Sequence, residues 1–127
     1  MRKTTSTNTE NEKRLAETCG LTYAMILTKG RWTINIMWNI HQGVNRYGLI
    51  RNSIDGISQK MLTQRLKELE EMGLIIRRKS GIGPTQGASL ARVEYSLSTA
   101  GKAFVPVMLA LCEWGDHVRP ETQILSC

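Results

Sequence analysis

No apolar run in this chain approaches the roughly 20 residues that a helix needs to cross a membrane. Its first fourteen residues, MRKTTSTNTENEKR, hold no apolar segment of the kind a secretory signal requires. A cytoplasmic protein without membrane contact is expected. Cysteine is scarce: Cys19, Cys112 and Cys127 form an odd set with no C-x-x-C pair, and His41 and His117 are the only histidines. That supply suits neither a disulfide scaffold nor a structural zinc site, so no metal and no cofactor are expected. The common catalytic signatures are missing as well. There is no P-loop and no G-x-S-x-G, and the glycines of GIGPTQG (Gly81, Gly83, Gly87) fall one residue off the dinucleotide fingerprint with no helix behind them. An enzyme is therefore not expected.

What is present is a basic centre. The 127 residues, about one domain in length, carry a formal charge of +6. From Val44 to Leu97 there are nine basic and five acidic residues, a net of +4, whereas from Ser98 onward there are two basic and three acidic. A basic stretch followed by a neutral, apolar one suggests one surface for a polyanion and another for packing.

Residues 1–14 read as a disordered polar tail, 15–118 as one domain and 119–127 as a second tail. A first helix is predicted after Cys19, through LTYAMILTKG to Gly30. A second, from about Trp32 to His41, is apolar nearly all round, with Trp32, Ile36 and Ile40 on one face and Ile34 and Trp38 on another. NRYGLIRNSI then reads as a short helix with Tyr47, Ile50 and Ile54 inward. After the turn DGIS, Ser58 is suited to cap the helix that ends at Gly73. Two helices joined by a tight Gly-containing turn make a helix-turn-helix. LIIRRK and RVEYSL, separated by a loop rich in Gly, Ser and Pro, make a β-hairpin, which in this position is a wing. The fold class is thus mainly α with a small β-hairpin: a winged helix-turn-helix with a long C-terminal dimerisation helix. That last helix is expected from Ser98 to Val118, bent at Pro106. Its apolar residues, among them Phe104, Val107, Met108, Leu111 and Trp114, form a band too broad for one face of a small domain, and a homodimer is the simplest partner.

In the capped helix, Leu62, Leu66 and Leu69 cluster in a narrow arc at about 100° per residue. Gln59, Lys60, Thr63, Gln64 and Lys67 point away from it. Amides, a hydroxyl and ammonium groups near the start of a recognition helix are the groups that read base edges in the major groove. Arg65 falls on the inner side and is expected to serve the fold through a carboxylate or carbonyl partner. Arg77, Arg78 and Lys79 entering the wing, and Arg92 leaving it, are candidates for phosphate contacts.

GISQKMLTQRLKELEEMGLI, followed by RVEYSL and ALCEWG and preceded by KGRW and Cys19, resembles the HxlR family of bacterial winged helix-turn-helix regulators from about Cys19 to Gly115. The resemblance implies a dimeric DNA-binding transcriptional regulator whose first and last helices, here with Tyr23 and Leu27 in the first, form the dimer interface. It implies that Ser58, Gln59, Lys60, Thr63 and Gln64 lie on the recognition helix. A repressor acting on double-stranded DNA at a pseudo-palindromic operator is the expectation. In several members the cysteine corresponding to Cys19 senses oxidants or electrophiles, and a thiol at a helix N-terminus is physically suited to that; a small buried hydrophobe is the other reading of Cys19. The chain departs from the family pattern at Gly48-Leu49, where members commonly carry Asn-Glu, at Gly20, where they carry Pro, and in a longer, Gly-rich wing loop. Two further functions stay open: a winged helix used for protein partners without specific DNA readout, and a regulator responding to a small apolar ligand at the dimer interface, with Trp32 and Trp38 lining its pocket.

Overall fold

The computed structural model describes residues 2–80 and 92–120, and of residues 2–8, 16 and 80 the backbone alone. Packing divides the chain into two units, Met1–Thr33 and Ile34–Cys127, where the sequence suggests one domain over 15–118. The first unit contains α1 (Arg2–Thr18) and α2 (Gly20–Thr28). α1 stands where residues 1–14 were expected to be disordered. Its described side chains from Thr9 to Thr18 are all exposed, so none of these anchors it in a core. Two local bonds lie along its last turns: Arg14 Nη2 donates to Asn11 Oδ1 at 2.7 Å, and Thr18 Oγ1 donates to the Arg14 carbonyl at 3.3 Å. The expectation of disorder rested on a missing core, whereas a helix closes its backbone bonds within itself.

Cys19 is extended (φ −128°, ψ 111°), which interrupts the helical backbone and puts it at the N-cap of α2, as the sequence suggests. The next helix starts at Thr33 and not at Trp32. Trp32 has φ 82°, in a region bulky side chains seldom adopt, and the Arg31 guanidinium lies over its ring at 4.5 Å. With Gly30 also at positive φ (102°), the segment is a tight turn that a periodicity count runs straight through.

The second unit holds the core. In α3 (Thr33–His41) Ile36, Met37 and Ile40 are buried, which accounts for a helix with few polar positions. α4 (Tyr47–Ser53) buries Ile50 and leads through Ile54 and Gly56 (φ 90°) to α5 (Gln59–Glu71). Ser58 caps α5 by accepting a bond from the Met61 N–H at 3.0 Å, so one otherwise unpaired donor of the first turn is satisfied. Leu62, Leu66 and Leu69 are all buried, each contributing about 1.5–3 kcal/mol of apolar transfer. α5 stops at Gly73 (φ 78°), where the Gly73 N–H bonds the Glu70 carbonyl and the Leu74 N–H bonds the Leu69 carbonyl, both at 3.0 Å. This paired closure needs a left-handed residue, hence glycine.

β1 (Ile75–Ser80) and β2 (Arg92–Leu97) then pair antiparallel, from Ile75 opposite Leu97 to Ser80 opposite Arg92. The Gly-rich wing loop, 81–91, lies outside the described residues. The Tyr95 N–H also bonds the Asn45 carbonyl at 2.9 Å, tying the entry of α4 to the hairpin. Beyond it the expected single helix over Ser98–Val118 is two: α6 (Thr99–Ala103) and α7 (Val105–Val118), separated at Phe104. Pro106 lies in the first turn of α7, a place where its missing N–H costs nothing, so it starts a helix and does not bend one. α6 is pinned to the end of α5. Ser98 Oγ accepts from the Gly101 N–H at 3.0 Å and donates to the Gly73 carbonyl at 2.6 Å, while the Ser98 N–H bonds the Leu74 carbonyl at 3.0 Å. Among the described residues no helix is long and apolar enough to cross a membrane.

Candidate nucleic-acid interface

The cap and the leucine face fix the azimuth of α5, and Gln59, Lys60, Thr63, Gln64 and Lys67 are all exposed on its outer side, with Ser58 exposed at its start. Two of them already have partners. Gln64 Nε2 donates to Glu68 Oε2 at 3.1 Å, and Thr63 Oγ1 lies 2.9 Å from the Tyr47 hydroxyl. Tyr47 also donates to the Gln59 carbonyl at 3.0 Å, so one side chain from α4 grips the first turn and a half of α5. Tyr47 is half-buried and bridges the two helices with its hydroxyl. The sequence reading assigned it only to the inner face; a phenol twelve residues before the helix start carries no periodic signal for such a bond.

Arg65 behaves as its azimuth implies. Its side chain is 19% exposed and its Nη1 lies 2.7 Å from Glu68 Oε1. Bonds from Gln64, and then from Arg65, hold the Glu68 carboxyl below the usual carboxylate range. Glu68 therefore orients one outward and one inward residue at once.

On the hairpin Arg77, Arg78, Lys79 and Arg92 are exposed. The register divides them: Arg77 and Lys79 share the face of Ile75 and Tyr95 beyond the edge of the core, and Arg78 and Arg92 project from the opposite face. Arg78 stands across from Glu94, which also pairs with Arg46 at 3.7 Å. Arg46, at the N-cap of α4, extends the basic surface from the wing to the helix-turn-helix; the pattern of the short helix puts it outward but gives it no DNA role.

The residues expected at a dimer interface divide between the two units. In the first, Tyr23 is 54% exposed and Leu27 is half-buried. In the second, Val107, Leu111 and Trp114 are exposed and Phe104 is half-buried, but Met108 is 4% exposed and belongs to the core. Val118 is also exposed, and positions 107, 111, 114 and 118 recur at the 4-3-4 spacing of a helix-packing seam. Met108 and Cys112, with Ile34, Asn35 and Trp38, line a cavity of about 290 Å³. Cys19 is a free thiol. The backbone of Thr22, its hydroxyl and the backbone of Leu21 face the sulfur and hold the thiol below its usual range, outweighing a small opposing effect of burial.

A capped helix with an exposed polar face, braced by a preceding short helix and followed by a basic hairpin, defines a winged-helix DNA-binding transcriptional regulator. The chain belongs to the HxlR-like helix-turn-helix family, whose model matches residues 27–123. It is 37% identical over 97 residues to an uncharacterised HTH-type transcriptional regulator of Methanothermobacter thermautotrophicus, spanning 76% of this chain and 70% of that one. Among solved structures it is similar to the reduced form of the transcriptional regulator YodB from B. subtilis (TM-score 0.66, 31% identity, 79% of this chain and 92% of that one). It is also similar to the redox regulator HypR in its oxidised form (TM-score 0.69, 29% identity, 80% and 99%).

Proposed function

We propose that the protein is a homodimeric repressor that binds a pseudo-palindromic operator in double-stranded DNA, with Gln59, Lys60, Thr63 and Gln64 reading bases. In this reading Ser58 and Lys67 lie close to phosphates, and Arg77, Arg78, Lys79 and Arg92 anchor the wing to the backbone or an adjacent minor groove. The exposed polar face of α5, rigidly capped by Ser58 and braced by Tyr47, carries the proposal. The exposed seam of α7 supports the dimer, because isolated apolar residues at helix-packing spacing gain by meeting a second copy. Such a dimer presents two recognition helices and so calls for two half-sites.

The test is a salt series in which the protein is titrated onto its own upstream region and onto scrambled DNA. Two separate curves are expected. Lys60→Ala and Gln64→Ala should close the gap between them, while Arg78→Ala should weaken both and flatten the salt slope by about one. Coincident curves at every salt concentration would sink the proposal.

Thiol control of this activity is the second element, favoured by the polar groups facing Cys19 and in keeping with the redox regulator among the similar structures. Mild oxidant or a quinone should release or retune DNA binding by the wild type. A Cys19→Ser protein that responds identically would remove Cys19 from the mechanism.

A further inference from the structure

The hydrogen bonds around Tyr47 have a direction. A backbone carbonyl can only accept, so the 3.0 Å contact of Tyr47 with Gln59 O is a hydrogen bond when the single phenolic proton points there. With that bond made, both contacts are satisfied at once only if Thr63 donates across the 2.9 Å between its Oγ1 and Tyr47 Oη, a contact in which either hydroxyl is able to donate. A threonine hydroxyl has one proton and two acceptor sites. With the proton turned back toward Tyr47, Thr63, exposed on the outer face of α5, offers lone pairs outward and no donor. In the major groove the complementary groups are the amino hydrogens of adenine N6 and cytosine N4. The N7, O6 and O4 positions of guanine and thymine are acceptors and find nothing there.

We propose that the Tyr47 hydroxyl makes Thr63 an acceptor toward DNA, so that Thr63 selects an amino-bearing base, adenine or cytosine, at its position in the operator. The inference rests on α5 lying in the major groove as proposed above. Tyr47 acts as a positioning residue and touches no base. A threonine left to itself donates or accepts as its surroundings require, and is a poor discriminator for that reason. One phenol removes the ambiguity.

Duplexes are selected from a randomised pool by the wild type, Tyr47→Phe, Thr63→Val and Thr63→Ser. Affinities for all four bases are then measured at the position where Thr63→Val alters the preference. The wild type and Thr63→Ser should favour adenine or cytosine there by roughly fivefold over guanine and thymine, the worth of one net hydrogen bond. Thr63→Val should lose that preference. Tyr47→Phe should lose it too, because the freed hydroxyl can donate to the acceptors of guanine and thymine, while preferences elsewhere in the site stay unchanged. A uniform loss of affinity in Tyr47→Phe with the base preference intact marks a merely structural bond and overturns the inference. Guanine or thymine preferred there by the wild type overturns it without recourse to Tyr47→Phe, as does a Thr63→Val protein whose preferences change nowhere. A wild type that cannot tell selected duplexes from scrambled ones defeats the DNA-reading proposal itself, an outcome distinct from the others.

Discussion

Replacing Gly101 with alanine tests how the wing is seated on the helix-turn-helix. An added Cβ would lie 2.2 Å from the Leu74 carbonyl oxygen and 3.3 Å from Leu97 Cβ. The first distance is more than 1 Å inside the roughly 3.4 Å of an ordinary carbon–oxygen contact, and the obstructing atom is backbone. Moving it away stretches the bond that the Leu74 carbonyl accepts from the Ser98 N–H at 3.0 Å, at a cost of about 1 kcal/mol. Overpacking strain adds about 1–3 kcal/mol, and the better helix propensity of alanine returns about 1 kcal/mol. The net loss is about 1–3 kcal/mol, or a fall in Tm of roughly 4–12 °C for a chain of this size. Gly48→Ala is the control, since Gly48 is helical and exposed with nothing within 4 Å of the added Cβ; there Tm should hold or rise. Thermal melts of the two variants beside the wild type, without DNA, decide the matter. A Gly101→Ala protein as stable as the wild type would refute the close packing of α6 against the start of β1.

Ser58→Ala removes the acceptor for the Met61 N–H and should cost about 1 kcal/mol, read as a lower Tm with weaker binding to all DNA sequences. Arg65→Ala should lower Tm through loss of the Glu68 pair and of the packed stem, yet leave the pattern of selected bases unchanged; a changed pattern would return Arg65 to the reading face. Glu68, held low by Gln64 and Arg65, supports the fold above its unfolded carboxyl range, and that support should disappear as pH falls through the depressed folded value; a Glu68→Gln protein should therefore lose less stability on acidification than the wild type. The depressed Cys19 thiol should be alkylated with a rate that rises with pH around a midpoint below that of the same cysteine in denaturant, followed by peptide mapping. Thr22→Val should raise that midpoint, and a midpoint equal in folded and unfolded protein would end the argument for activation.

How much of this was legible in the sequence follows from the range over which each signal acts. The Ser58 cap, the Gly73 stop and the leucine arc of α5 are local, involving residues within about one or two turns of each other, and periodicity with capping chemistry is enough to find them. The same arithmetic placed Arg65 inward, where it meets Glu68. The short β-branched and aromatic runs likewise located both halves of the hairpin, whose register then divides the basic residues of β1 between its two faces. Errors arose where a helical count met a boundary without an obvious breaker. Trp32 carries no mark of its positive φ. Phe104 separates α6 from α7, while Pro106 drew attention to the wrong residue because proline reads as a kink unless the new helix start is known.

Contacts between elements were the least accessible. Met108 shares the spacing of an interface residue yet lies in the core, because burial depends on which neighbour a helix face meets. The Tyr47 bond to Gln59 and the contact with Thr63 join α4 to α5 across twelve and sixteen positions. Their significance lies in proton direction, which residue types alone cannot supply: the same tyrosine and threonine with no carbonyl to commit the phenolic proton would leave the threonine free to donate. A recognition face is therefore specified at two levels. In the proposed reading, sequence spacing selects the side chains that would reach the groove, and the bonds behind them select the hydrogen-bond sense each would present. At the wing, Glu94 stands opposite Arg78 in the strand register and pairs with Arg46 at 3.7 Å, a long, exposed contact worth at most about 1 kcal/mol.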